Sequence, residues 1–208
     1  MTLIKICGIT NLADALAASM IGADALGFNF YFRSPRFISP DSAREIISHL
    51  PSTVITFGVF VNEESPEMVM RGARSAGVEW LQLHGDESPE FCQELKGWKV
   101  IKALRVGQNF KPEHATLYDT DAIMLDAFSA RAHGGTGQTF DWSVARRTRP
   151  LVAKLFLAGG LTPENVAGAI ASVEPHGVDV CSGVESKPGK KDTSLMQAFI
   201  NAVRRSRE

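Results

Sequence analysis

Eight short apolar runs recur along the chain, at 2–7, 24–30, 53–61, 79–84, 99–105, 121–126, 153–158 and 177–181. Between most of them lie amphipathic stretches, at 11–21, 40–49, 65–76, 88–96, 163–173 and 192–205. Weaker candidates of the same kind fall near 111–118 and 141–147. Short apolar runs bounded by turn residues predict strands, and the amphipathic stretches predict helices. The alternation repeats eight times in 208 residues. That is a short but workable βα unit of about 26 residues.

The punctuation between these stretches is consistent. Helix starts read "SPD" at 39–41, "SPE" at 65–67 and 88–90, and "TPE" at 162–164. The hydroxyl accepts from free N–H groups of the first turn, proline has no N–H to leave unpaired, and the acid favours the positive helix end. Helix ends read Gly-x-charged at Gly22, Gly77, Gly97 and Gly177, each directly before a strand. Glycine in the left-handed conformation is expected to stop the helix at all four.

Strands separated by helices, without short hairpins, predict a parallel sheet. Eight units point to an α/β fold, a single (β/α)8 TIM barrel spanning 1–208. An open doubly wound sheet is the structural alternative, but no GxGxxG follows the first strand. Loops after strands are long, as at 31–39 and 127–140, and loops before strands are short. In a barrel this places the working face at the carboxyl ends of the strands.

Composition narrows the function classes. A net charge of −1 gives no footprint for nucleic acid. No apolar run approaches the roughly 20 residues of a membrane helix. Residues 1–9 lack the layout of a secretory leader. Three widely spaced cysteines, Cys7, Cys92 and Cys181, fit neither a disulfide framework nor a zinc site, so a reducing cytoplasm is expected. The basic "RRSRE" tail suits a helix C-terminus. With no apolar stripe evident, a monomer is expected, a homodimer being the alternative.

Polar residues gather where the strands end. Strand 1 ends at Cys7, strand 4 near His84 and strand 6 at Asp126; strand 7 runs into "LAGGL" and strand 8 into "VCSGVE". Each residue has an ordinary structural reading. Cysteine is often a small buried hydrophobe, which suits Cys7, Cys181 and the helical Cys92. His84 could be a loop histidine. Asp126 is harder to explain as structure, because a carboxylate after "AIML" is costly to bury. Lys5 shares the strand phase of Cys7, and strand 8 adjoins strand 1 in a closed barrel. A buried Lys5–Asp179 pair is therefore expected.

Glycine-rich turns at Gly159–Gly160 and Ser182–Gly183 precede helix starts in the seventh and eighth units. Bare N–H groups and a helix N-terminus suit an anion, and these two loops of a barrel are a frequent phosphate site. Arg36, fixed between Pro35 and Phe37, is placed to clamp a carboxylate, although Arg33 and Arg36 also read as surface charge. "AHGGTGQTFDW" reads as a linker or as a lid beside Asp126.

The segments "KICGIT", "GFNFYFRSPRFI", "FGVFVN", "LQLHGDE", "IKALRV", "LDAFSARAHGGTGQTFDW", "LAGGLTPENV" and "GVDVCSGVESKPGKKD" resemble the phosphoribosylanthranilate isomerase family of tryptophan biosynthesis. The match runs in order from residue 4 to about 201. One departure is Cys181, where the family pattern has serine. The resemblance implies an Amadori rearrangement of N-(5-phosphoribosyl)anthranilate to 1-(2-carboxyphenylamino)-1-deoxyribulose 5-phosphate, with no metal or redox cofactor. It implies Cys7 as general base and Asp126 as general acid. It assigns Arg36 to the substrate carboxylate and Gly159, Gly160, Ser182 and Gly183 to the phosphate. His84 and Asp179 fall among the substrate-facing residues, with no step assigned to His84.

That reaction asks for particular environments. Asp126 must hold a proton near neutral pH to give to the sugar ring oxygen. Cys7 must be thiolate enough to remove the C2 proton, and Lys5 could supply the positive potential. Three rivals remain. An indole-forming barrel enzyme would need a catalytic lysine, for which Lys102 is the internal candidate. A histidine-pathway isomerase would carry paired acids. A phosphosugar-binding protein would need neither Cys7 nor Asp126.

Overall fold

The computed structural model describes residues 2–126 and 142–206. Eight strands form a closed parallel barrel in chain order: β1 (Leu3–Cys7), β2 (Ala25–Asn29), β3 (Ile55–Phe60), β4 (Trp80–Leu83), β5 (Lys99–Arg105), β6 (Ala122–Asp126), β7 (Leu155–Ala158) and β8 (Gly177–Val180). The ring closes where Lys5 faces Asp179 and Ile6 faces Val180 across β1 and β8. Helices α1 (Leu12–Met20), α2 (Pro40–Ile47), α3 (Pro66–Ala76), α4 (Pro89–Gln93), α5 (Trp142–Thr148), α6 (Val166–Val173) and α7 (Thr193–Arg205) complete the α/β pattern.

Alternation along each strand makes two cores. Ala25, Phe57, Trp80, Ile101, Ala103, Ala122, Met124, Phe156 and Ala158 fill the barrel interior. A larger layer, with Ile4, Ile6, Leu26, Phe28, Leu81, Leu83, Leu125 and Leu157 on the outward phase, packs against helices. Both faces of each strand are thus buried, which is why the strands read as apolar runs.

The starts and stops depart from expectation in several places. Ser39 and Ser88 cap α2 and α4 as expected, accepting from Ser42 N and Phe91 N. Ser65 makes no side-chain cap to α3. The "TPE" segment forms a turn, and α6 begins at Val166. There the Asn165 side chain accepts from Thr162 N and donates to the Gly160 carbonyl, holding the chain in a turn for that stretch. Gly22, Gly77 and Gly97 take positive φ, but α4 already ends at Gln93, short of Gly97, and Gly177 does not take it. Glu174, at φ 51, ends α6 instead. Gly177 is glycine for packing, because a Cβ there would run into the Phe156 ring.

Two connections also differ. Between β5 and β6 the chain makes a 3-10 segment, Pro112–Leu117, rather than an α-helix. After β8 a short antiparallel hairpin forms, β9 (Glu185–Lys187) with β10 (Lys190–Lys191), where no hairpin was expected. It is tied down at both ends. The Thr10 hydroxyl donates to the Gly189 carbonyl, and Lys191 N donates to Asp14.

Candidate active site

Lys5 and Asp179 form the expected buried pair at the β1–β8 seam. Their Nζ and Oδ1 lie 2.7 Å apart, with side-chain exposures of 0% and 7%. Burial opposes both charges. The charges of Asp179 and Cys7 outweigh it for Lys5, holding the ammonium above the usual lysine range. Burial dominates for Asp179 and pushes it up to about 6, against the pull of Lys5. Asp179 is thus a partner of Lys5 first, whatever else it faces.

Cys7 is the last residue of β1, and Gly8 turns the chain at φ +75 directly after it. A Cβ on neighbouring Gly27 would come within 2.7 Å of Cys7 Sγ and 3.0 Å of Lys5 Nζ. The bare β2 backbone therefore makes room for both groups. The Cys7 thiol is held well below the ordinary thiol range. A hydrogen bond from Cys181 is the largest cause, burial opposes it, and the charges of Lys5 and Lys191 add to it. Cys7 thus has the electropositive setting of a reactive thiol.

Three strands away on the ring, Asp126 ends β6 and His84 follows β4. His84 Nε2 lies 2.9 Å from Asp126 Oδ2, and Gln82 Nε2 lies 2.8 Å from His84 Nδ1. Gln82 is completely buried, so this amide–imidazole–carboxyl chain is fixed from inside the barrel. Asp126 and His84 keep side-chain exposures of 20% and 23%. Both therefore reach the mouth.

Arg36 is placed beside the same opening, with its carboxylate partner supplied by the protein. Its Nε and Nη2 bond both oxygens of Glu185 at 2.6–3.1 Å. Lys191 Nζ lies 3.0 Å from the same carboxylate, 3.1 Å from the Cys181 carbonyl and 3.7 Å from Cys181 Sγ. Burial of Glu185 is outweighed by Arg36 and Lys191, which hold its carboxyl below the usual range. Glu185 and Lys191 escaped sequence analysis because the hairpin that brings them in has no periodic signal. Cys181, read there as filling, is the hydrogen-bond partner of Cys7.

The two glycine turns come together. Gly159 and Gly160 have φ of 80 and 68. Ser182 and Gly183 lie in a 3-10 turn, Ser182–Val184, and a Cβ on Gly183 would strike the Leu161 carbonyl. The loops after β7 and β8 thus abut, backbone against backbone. Lys102, by contrast, sits on the outward phase between the inward Ile101 and Ala103. It is 1% exposed and bonded to Glu87 and to the carbonyls of Leu83, Gly85 and Ala103. It is no catalytic lysine at the mouth. Cys92 packs at 4% exposure, and burial pushes its thiol up to about 11. The segment "AHGGTGQTFDW" lies outside the described residues except for Trp142. Among the described residues, no group of three or more His, Cys, Asp or Glu is placed to hold a metal ion.

A closed eight-stranded parallel barrel, with an activated thiol and a histidine-bonded acid at the carboxyl ends of its strands, has the architecture of a (β/α)8-barrel enzyme. Residues 4–202 match the model of the N-(5'-phosphoribosyl)anthranilate (PRA) isomerase family, and the chain belongs to that family. It is 48% identical over 204 residues to an N-(5'-phosphoribosyl)anthranilate isomerase of Pelobacter propionicus, covering 98% of this chain and 96% of the relative. The crystal structure of the Thermotoga maritima phosphoribosyl anthranilate isomerase superposes with a TM-score of 0.91 at 46% identity, covering 98% and 99% of the two chains. A phosphoribosyl anthranilate isomerase in complex with reduced 1-(o-carboxyphenylamino)-1-deoxyribulose 5-phosphate gives 0.88 at 45% identity, with the same coverage.

Proposed function

We infer that this chain is an isomerase of tryptophan biosynthesis. It rearranges N-(5-phosphoribosyl)anthranilate, an aldose amine, to 1-(2-carboxyphenylamino)-1-deoxyribulose 5-phosphate. The observation that carries the assignment of its residues is the placement of Cys7 and Asp126 at carboxyl ends of β1 and β6, three strands apart on the ring. A sugar held between those walls meets a base on one side and an acid on the other.

Asp126 gives a proton to the ring oxygen as the nitrogen lone pair opens the furanose to an iminium ion. His84, itself held by Gln82, fixes the carboxyl at the mouth. The iminium makes the C2 proton acidic, and Cys7 removes it to leave an enolamine. A proton gained at C1 and one lost from the C2 hydroxyl give the ketone. Arg36 addresses the anthranilate carboxylate. Holding Glu185 occupies two of its five N–H groups, so donors remain. The abutting turns at Gly159–Gly160 and Ser182–Gly183 offer backbone N–H groups to the phosphate. Asp179 keeps Lys5 charged beneath Cys7.

We read 1–208 as one domain working as a monomer on a small phosphosugar, without nucleic acid or membrane. Its three free thiols suit a reducing cytoplasm. The test is turnover of freshly generated phosphoribosylanthranilate, followed by loss of anthranilate-type fluorescence. Cys7→Ser and Asp126→Asn should each cut the rate by about 10²-fold or more with folding intact, the range of a positioned acid or base. Full activity in Cys7→Ser would return that thiol to packing.

A further inference from the structure

The contact that lowers the Cys7 thiol also sets two sulfurs side by side at the β1–β8 seam. Ile6 and Val180 are Cα partners across β1 and β8, and the two cysteines are the next residue on each chain. Neighbouring strands run about 4.7–4.9 Å apart. That lies within the roughly 4.4–6.8 Å between Cα atoms that a disulfide spans. Both side chains share the inward phase of Lys5 and Asp179. The bare Gly8 after Cys7 leaves room for the second sulfur, since a Cβ there would lie 2.8 Å from Cys181 Sγ. Cys181 is half-buried, and Lys191 Nζ sits 3.7 Å from its sulfur.

We propose that Cys7 and Cys181 are a redox-active pair that a hydroperoxide closes into a disulfide and a dithiol reopens. In the first step the Cys7 thiolate attacks a peroxide oxygen. The O–O bond breaks, hydroxide leaves and takes a proton as water, and Cys7 becomes a sulfenic acid. In the second step the Cys181 sulfur attacks the Cys7 sulfur. The S–O bond breaks, and the hydroxide takes the Cys181 proton as a second water. Two thiols lose two electrons and two hydrogens, and one hydrogen peroxide becomes two waters. The two steps are coupled by charge. The Cys7 hydrogen bond, then burial, push the Cys181 thiol up. The neutral sulfenic acid removes the anion that held that proton, and the Lys191 ammonium then favours the Cys181 thiolate.

Only the consequence for turnover rests on reading Cys7 as the base. The experiment exposes wild type, Cys181→Ser and Cys92→Ser to hydrogen peroxide. It compares intact mass, non-reduced peptide maps and turnover, each relative to its own untreated sample. Wild type and Cys92→Ser should lose two hydrogens, show a Cys7–Cys181 linked peptide, lose turnover by about 10²-fold or more, and recover fully with dithiothreitol. Cys181→Ser should instead gain oxygens on Cys7 and not recover. Oxygen gain on Cys7 in wild type without a linked peptide would overturn the pair. Full dithiol recovery of Cys181→Ser would overturn it as well. A linked protein that keeps its turnover would overturn Cys7 as base while leaving the pair standing.

Discussion

A lysine ammonium with no solvent exposure persists only where its neighbours offset the lost hydration. Lys5 has the Asp179 carboxylate at 2.7 Å and the Phe57 ring 5.3 Å from its nitrogen. The groups facing Cys7 are Lys5 on its own strand, Asp179 and Cys181 at β8, Lys191 on β10 and Arg36 after β2. Lys5→Met removes a cation and leaves Asp179 to take up a proton. The proposed base works only when ionised, so a depressed Cys7 thiol pKa would keep turnover going as pH falls. Losing Lys5 should raise that pKa and move the acid limb of kcat/KM to higher pH. The pH dependence of Cys7 alkylation by iodoacetamide should shift with it. An unmoved limb in a folded variant would remove Lys5 from the machinery. This pair was legible in the chain, because residues i and i+2 share a strand face and closure sets the last strand beside the first. Cys181 stands two residues after Asp179 on the same phase, yet a cysteine there reads as filling until its partner is seen.

The loop that carries His84 is held from behind by one buried ion pair. Glu87 accepts from the backbone N–H groups of Asn62 and Gly85 and pairs with Lys102 Nζ at 2.8 Å. Both side chains are nearly sealed, at 1% and 2% exposure. Glu87→Gln leaves the ammonium without a counter-charge. It should cost about 3–5 kcal/mol in urea unfolding, the range for breaking a buried pair from one side. Adding Lys102→Met should recover part of that loss; no recovery would show that Glu87 acts through the loop backbone alone. The eight strands and most helices were readable here, because burial on two faces and capping residues leave local marks. The β9–β10 hairpin was not. It is held by Thr10 and Asp14, far away in sequence, and so Glu185 and Lys191 could not be placed beside Arg36 and Cys181.

Among the described residues, the two most exposed large apolar side chains stand at opposite ends of the barrel. Met20, 85% exposed, closes α1 at the end where strands begin, whereas Phe32, 71% exposed, follows β2 at the end where strands finish. Among the described residues, these two side chains form no shared patch of the kind that marks a stable interface. Sedimentation equilibrium should therefore return the mass of a single chain, and twice that mass at micromolar concentration would show that the apolar ends are used separately. At this scale the closed ring was legible from the count of units and the loop asymmetry. The contact between the loops after β7 and β8 was not, because it depends on Gly183 passing against Leu161.

The closing seam has a consequence for the order of events on the ribosome. Lys5 and Asp179 are 174 positions apart, and Arg36 and Glu185 are 149 apart. Translation delivers Cys7 among the first residues and Asp179, Cys181, Glu185 and Lys191 among the last. Through most of synthesis Cys7 has only Lys5 of the groups that lower its thiol, because Cys181 and Lys191 have not been made. Domains settle as units, and contacts this distant form late. A nascent barrel therefore carries the Cys7 thiol without its full set of partners until the eighth strand takes its place beside the first.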